Sequence, residues 1–129
     1  MREMVRVCAP SGRVVVVDTC ASADPAKAAA FNRLEKLRDP SHVQALPLAE
    51  LQGLFRAAGL PEPRVTFTEL RGEVGALLAR SFPNPGDETK IIGMFAASAE
   101  DDRLGIPVRC DGKRIDYAYP VAILTARRN

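Results

Sequence analysis

Four consecutive valines, Val14 to Val17, constrain the fold more than any other feature of this 129-residue chain. The run does not alternate between apolar and polar residues, as a strand with one wet face does. On a half-exposed strand, alternate valines would each lose about 1.5–3 kcal/mol of burial free energy. The run therefore predicts a strand over residues 13–19 that is buried on both faces, within a parallel sheet covered by helices on either side.

Helical spacing follows this strand twice. Asp24-Pro25 is typical of an N-cap and a first helical residue, and an apolar stripe then runs over residues 28–37. A second helix is predicted to open at Leu46-Pro47. It ends where Gly59 is placed for a left-handed C-terminal cap. The order strand, helix, helix is typical of an α/β protein.

The last third of the chain carries the clearest strand signals. Residues 64–70 alternate between apolar and polar side chains, which indicates a strand. Asp111-Gly112 is a favoured two-residue hairpin turn between strands predicted over 106–110 and 113–119. Pro120 predicts a bend or bulge before the final apolar strand over 121–126.

Shorter helical patterns occur elsewhere. Apolar residues at helical spacing indicate helices over 73–82 and after a cap at Asp87, with an apolar turn near the amino terminus. The side chains predicted to face inward are Met4, Val7 and Cys8 in that turn, Val74, Leu77, Leu78 and Phe82 in the first helix, and Ile91, Ile92, Phe95 and Ala99 in the second. Residues 72–105 thus form a helical insert between strands.

Composition excludes several classes of function. The 18 basic and 16 acidic residues give a net charge of +2, too small for a nucleic-acid or anionic-membrane footprint. Three scattered cysteines fit a reducing cytoplasm, and no apolar run is long enough to cross a membrane. A single histidine argues against a histidine-based metal site, and no catalytic triad or phosphate loop is present.

Three segments, in this order, resemble class I S-adenosylmethionine-dependent methyltransferases. Residues 6–18 are similar to the family's "R-hydrophobic-hydrophobic-x-P-G-G" entry into strand five, with Ser11 where glycine is usual. Residues 38–43, with Leu48-Ala49-Glu50-Leu51 and Ala57-Ala58-Gly59-Leu60, resemble the linker and penultimate helix of the type 11 and ubiquinone/menaquinone-biosynthesis-like members. Residues 119–127 resemble the closing strand seven.

The resemblance implies an α/β fold: a partial doubly wound sheet with strands equivalent to 5-7-6, flanking helices, the insert over 72–105 and a C-terminal β-hairpin. Residues 1–129 are then a single domain, the C-terminal part of a methyltransferase. The family holds S-adenosylmethionine with a Gly-rich turn after strand one, and this chain has no G-x-G-x-G. On this alignment Met1 falls inside the helix before strand five, so strands one to four are missing. We therefore expect no cofactor bound to this chain and no activity from it alone.

Two groups of residues are candidates for binding a small-molecule substrate. Ligands lie beyond the carboxyl ends of strands in open α/β sheets, which singles out Asp18 and Thr19. An interpretation of equal weight is that Asp18 only caps the following loop. Arg38, Asp39 and His42 are candidates for a substrate wall or a general base, although a cluster that orders the loop is the favoured interpretation. Catalytic residues remain unassigned, because methyl transfer from an activated sulfonium often needs only positioning.

On this alignment strand four, which would pair with the valine strand, is missing, so we expect an unpaired sheet edge there. We expect a homo-oligomer that forms across this edge or across the helical insert. The alternative is a non-catalytic binding module that docks on a partner or a second subunit. A Gly-rich turn encoded upstream of Met1 would favour an enzyme fragment, and a stop codon there would favour a natural half-protein.

Overall fold

The computed structural model describes all 129 residues, which form five helices and five strands joined by loops. The helices are α1 (Arg2–Val7), α2 (Pro25–Arg38), α3 (Leu48–Ala57), α4 (Val74–Ala79) and α5 (Asp87–Asp101). The strands are β1 (Arg13–Ala21), β2 (Leu46–Pro47), β3 (Arg64–Glu73), β4 (Val108–Asp111) and β5 (Arg114–Arg127). None of the helices combines the length and the apolar character needed to cross a membrane.

Strand β5 lies in the middle of one mixed sheet of order β2-β1-β5-β3. It runs antiparallel to both β1 and β3, so those two strands are parallel to each other. Strand β4 pairs with the first residues of β5 as a hairpin. The order β1-β5-β3 is the predicted 5-7-6 order, and the α/β class is confirmed.

Helices cover both faces of the sheet because β5 alternates its apolar side chains between them. On one face Leu124 packs with Leu51 and Phe55 of α3, and α1 adds partly buried side chains. On the other face Tyr119 packs with Phe31 of α2 and with residues of α4 and α5. The predicted helical layers on both faces are therefore confirmed.

The prediction that the valine strand is buried on both faces is wrong for Val15 and Val17. Val14 is buried at 3% exposure, whereas Val15 is 46% and Val17 61% exposed. Helices α2, α4 and α5 pack over the end of that face near Tyr119, and none of them covers Val15 and Val17. The outer edge of β1 pairs only through Cys20 and Ala21, with β2, so its backbone is unpaired over residues 13–19.

Strand β5 continues through Pro120 with no bulge in its pairing with β3. Its pairing with β3 is continuous from Asp116 to Thr125, with Glu69 opposite Pro120. On its other side, Pro120 lies between the residues that pair with β4 and those that pair with β1. No strand on that side therefore requires the N–H group that proline lacks.

The hairpin turn is displaced by one residue from its predicted place. Asp111 pairs with Arg114, so Gly112 and Lys113 form the turn rather than Asp111 and Gly112. Gly112 has a φ of 58°, a left-handed conformation that glycine adopts without steric cost.

The insert departs from the predicted helices at two points. Helix α4 ends at Ala79, and Phe82 is 77% exposed instead of lying on a core stripe. Phe82 precedes Pro83, and a residue before proline is disfavoured in the helical conformation. Asp87 is the first residue of α5 rather than its cap, because Gly86, with a φ of 88°, occupies the cap position.

Three side chains predicted to face inward lie partly in solvent. Met4 and Val7 of α1 are exposed, whereas Cys8 packs against the core as predicted and Val5 packs there in addition. In α5, Ile92 is exposed, whereas its neighbour Ile91 is fully buried as predicted.

Candidate functional site

The carboxyl end of β1 leads directly into α2, and this junction forms one wall of a cleft. Asp24 caps the helix, because its Oδ1 accepts hydrogen bonds from the backbone N–H groups of Ala26 at 2.9 Å and Lys27 at 3.3 Å. Pro25 occupies the first turn, where its missing N–H costs nothing. Ligands of open α/β sheets bind at this kind of strand end.

The cleft has a volume of about 810 Å³ and lies between the first half of α2 and the segment leading through β2 into α3. Most of its lining is small or apolar: Ala23, Pro25, Ala28, Ala29, Val43, Ala45, Pro47, Leu48 and Ala49. Its polar lining consists of Asn32, Gln44, Glu50 and Gln52. Pockets of roughly 300–1,000 Å³ with mainly apolar walls are typical of small-molecule sites.

Asn32 fixes the loop that forms the far wall of the cleft. Its Oδ1 accepts a hydrogen bond from the Ala45 N–H at 2.6 Å, and its Nδ2 donates to the carbonyl oxygens of Ala45 and Ala28, both at 3.0 Å. The Nε2 of His42 lies 2.9 Å from the same Oδ1. The Val43 side chain, 93% exposed, is therefore presented by a loop whose backbone is held on both sides.

Asp39 and Lys36 hold the beginning of the same loop. The Oδ1 of Asp39 accepts hydrogen bonds from the Ser41 hydroxyl at 2.7 Å and the Ser41 N–H at 2.9 Å. These two bonds lower the pKa of Asp39. Lys36 donates from its Nζ to the His42 carbonyl oxygen at 2.9 Å. The bonds of Asp39 and His42 are thus those of a cluster that orders the loop.

Arg38 faces away from this loop into a buried polar group. Its Nη2 and Nε donate to the carboxylate of Glu35 at 2.7 and 3.1 Å, and its Nη1 donates to the Ser81 hydroxyl at 3.2 Å. The hydroxyl of Tyr119 donates to the same carboxylate at 2.6 Å. The contact with Glu35 raises the pKa of Arg38, and burial raises that of Tyr119. This group joins α2 to β5 and to the end of α4.

Asp18 and Thr19 lie near the end of β1 but do not line the cleft. The exposed Asp18 carboxylate accepts a hydrogen bond from the N–H of Thr19 at 2.8 Å. Of the three candidates that follow the core of α2, Asp39 and His42 lie together in the loop, whereas Arg38 points into the protein. None of the five candidate residues lines the cleft, although His42 contacts Asn32, which does.

The residues that shape the cleft were missed in the sequence. Asn32 had one usable signal: asparagine is unfavourable inside a helix unless its side chain finds a specific partner. Glu50 and Gln52 gave no signal, because polar residues near the start of an exposed helix are common. Tyr119 was assigned only to a strand, since its partner Glu35 is 84 positions away.

A second cavity, of about 570 Å³, lies beside the β4–β5 hairpin. Its charges are largely satisfied within the chain: Arg114 pairs with Asp116 at 3.0 Å, and Arg71 pairs with Glu69 at 2.9 Å. Glu73 accepts hydrogen bonds from two N–H groups at the start of α4, which lower its pKa. Because most of its charged side chains are already paired with one another, this second cavity is less suited to a ligand than the apolar cleft.

Neither a metal site nor a phosphate cradle accompanies the cleft. No group of three or more His, Cys, Asp or Glu side chains is placed to hold a metal ion. Ser22 and Ala23 join β1 to the Asp24 cap, and β3 leads into α4 at Glu73. Neither connection is the Gly-rich turn that brings backbone close to a nucleotide cofactor.

Comparison with known proteins identifies methyltransferases. The chain is 30% identical over 127 residues to the uncharacterized methyltransferase YcgJ of Bacillus subtilis, covering 96% of this chain and 50% of that protein. The crystal structure of YcgJ superposes with a TM-score of 0.87 at 25% identity, over 99% of this chain and 56% of the other. No sequence model of a known protein family matches the chain.

A protein of Bacillus halodurans C-125 that is assigned as a methyltransferase shows the same fold. It superposes with a TM-score of 0.85 at 17% identity, over 98% of this chain and 60% of the other. The chain thus spans about half the length of the relatives it matches. In sequence and in fold it matches the C-terminal half of a methyltransferase, as the three sequence segments predicted.

Proposed function

We propose that this chain is the substrate-side half of an S-adenosylmethionine-dependent small-molecule methyltransferase and is inactive without a cofactor-binding half. One observation carries the proposal: nearly the whole chain matches only about half of a methyltransferase. In this proposal residues 1–129 form one domain, with 72–105 as its insert. The three unpaired cysteines, Cys8, Cys20 and Cys110, support a cytoplasmic location.

Positioning is the chemistry that this half supplies. The methyl group of S-adenosylmethionine is already activated by its sulfonium, so an acceptor held in line with it needs little further catalysis. The cleft at the carboxyl end of β1 holds the acceptor between α2 and the loop fixed by Asn32. The apolar walls exclude water from the bound molecule.

The five predicted substrate residues take different roles in this proposal. Asp18 and Thr19, at the end of β1, lie on the border that the cofactor-binding half would meet. Asp39 and His42 keep the cleft loop in place, and Arg38 anchors the helix that forms the opposite wall. They are positioning residues, and no side chain of this half is assigned as a general base.

A chimera tests the proposal. The N-terminal part of YcgJ, up to the residue aligned with Met1, is fused to this chain, and binding of S-adenosylmethionine is measured by thermal shift and calorimetry. We expect the chimera to bind and the 129-residue chain not to bind. Binding by the chain alone would contradict the proposal. So would failure of two folded chimeras, the second made with the Bacillus halodurans protein.

The open edge of β1 favours a second candidate function, a non-catalytic module that docks on a second subunit. Its unpaired backbone over residues 13–19 is flanked by the exposed side chains of Val15 and Val17. Such an edge is a template for strand pairing. We propose that the isolated chain forms a homodimer across this edge.

A further inference from the structure

We infer that the cleft binds a flat, apolar small molecule that is uncharged or positively charged, and that it discriminates against anions. Binding itself is a property of the described residues. Only the identification of this molecule as the methyl acceptor rests on the proposed function. The inference follows from the shape of the cleft, from its one charged side chain and from the placement of the nearby cations.

The shape of the cleft favours a flat ligand. Ala28 and Ala29 on α2 face a wall that includes Ala45 and Ala49, so short side chains form both sides. A volume of about 810 Å³ between such walls accommodates an aromatic ring system of two or three rings. Removing the apolar surface of that ring system from water is the main source of affinity.

The walls are preformed rather than assembled by the ligand. Asn32 uses its amide on both the N–H and the carbonyl group of Ala45, and its oxygen also meets His42. These contacts fix the loop relative to α2 before any ligand arrives. A fixed wall lowers the ordering cost of binding.

Glu50 is the only ionised side chain in the lining. It is exposed, lies in the first turn of α3 and takes part in none of the ion pairs of the protein. Its carboxylate therefore remains free to attract a cationic group and to repel an anionic one. Because the group is exposed to water, the effect on affinity is moderate.

The basic side chains of α2 do not line the cleft. Lys27 pairs with Asp102 at 2.8 Å, and Arg33 lines a separate hollow beside α5. Lys36 donates to the backbone carbonyl of His42 at 2.9 Å. No arginine or lysine lines the cleft, so an anionic ligand finds no cationic side chain there.

Three probes that share a naphthalene ring and differ in charge test the inference. The ¹⁵N-labelled chain is titrated with 1-naphthylmethylammonium, 1-naphthalenemethanol and 1-naphthoate at pH 7, and amide shifts are followed by NMR. We expect saturable shifts at the amides of Ala28, Ala29, Ala45 and Ala49. The ammonium probe should bind about three- to tenfold more tightly than the naphthoate.

Matched variants locate the effect. Ala29→Phe and Ala49→Phe narrow the cleft from exposed positions and should abolish the shifts, whereas Ala26→Phe, on α2 outside the cleft, should leave them unchanged. Glu50→Gln should remove the difference between the ammonium and naphthoate probes. The inference is overturned if naphthoate binds as tightly as the ammonium, if the shifts map elsewhere, or if no probe binds. Methyltransferase function is tested separately, by S-adenosylmethionine binding.

Discussion

Tyr119 illustrates how single residues hold this half-fold together. Its hydroxyl, Arg38 and the buried carboxylate of Glu35 satisfy one another in the interior. An unpaired buried polar group costs more free energy than a formed hydrogen bond gains. The group therefore fixes the position of α2, and with it one wall of the cleft.

Replacing Tyr119 with Phe removes the 2.6 Å hydrogen bond to Glu35. We expect the free energy of unfolding to fall by about 1–3 kcal/mol, because part of a buried carboxylate loses its partner. Urea denaturation measures the change. Tyr117→Phe is the matched control, because that hydroxyl has only a 3.4 Å contact with Arg80 and its loss should cost less. Equal losses in the two variants would contradict this account.

Glu73 should make stability sensitive to acid. Hydrogen bonds from the N–H groups of Gly75 and Ala76 lower its pKa in the folded protein. Its contribution is therefore fully present above the unfolded-state pKa of about 4.3 and is lost as the pH falls through the folded-state pKa. The stabilities of the wild type and of Glu73→Gln should differ at pH 6, and the difference should shrink as the pH falls through the folded-state pKa. A Glu88→Gln control that behaves identically would refute this assignment.

The sequence predicted which element each residue belongs to better than it predicted which side chains contact one another. The interpretation of Asp39 and His42 as a loop-ordering cluster agrees with their contacts, because those bonds span few residues. Glu35 and Tyr119 meet across 84 positions, and no local pattern indicates such a pair. Whether any candidate residue touches a substrate stays a prediction.

At the scale of elements, the order of strands and helices was predictable and several of their ends were not. The valine run, the capped helices and the alternating strand fixed the α/β order because each is a local signal. The hairpin turn lies one residue later than predicted. Gly112, which has the left-handed conformation, is the first residue of the turn rather than the second. Pro120 does not interrupt β5, because on one side of the strand it lies between the residues that pair with β4 and those that pair with β1.

Val15 and Val17 show that a local pattern can predict a strand correctly and its burial wrongly. Four valines correctly predicted a strand in a layered sheet, but the layer that would cover these two is absent from this chain. In the proposed function, a partner that pairs with the outer edge of β1 would cover them.

Substituting Val17 with Lys should disrupt pairing across this edge. Val17 is 61% exposed, so a lysine there should leave the folded chain intact while it places a charge in the proposed dimer interface. Light scattering coupled to size-exclusion chromatography should show a dimer for the wild type and a monomer for the variant. Phe67→Lys, at an equally exposed residue of β3 on the opposite side of the sheet, should remain dimeric. A monodisperse wild-type monomer would rule out the proposed dimer.

At the scale of the whole molecule, the two clusters of buried residues give the half-fold a core on each face of the sheet. Exposed apolar side chains remain on both sides of the sheet, Val15 and Val17 on β1 and Phe67 and Leu70 on the edge strand β3. The chain with these two cores superposes on about half of a larger protein. A cofactor-binding half and a second copy would compete for the outer edge of β1, so the chimera should be monomeric.

Calorimetric titration of the 129-residue chain with S-adenosylmethionine tests the central claim most directly. The claim is that this half lacks the residues that bind the cofactor. We expect no heat of binding at protein and ligand concentrations that would detect a sub-millimolar dissociation constant. One-to-one binding would contradict the account, because it would mean that this chain, alone or as a dimer, forms a cofactor site.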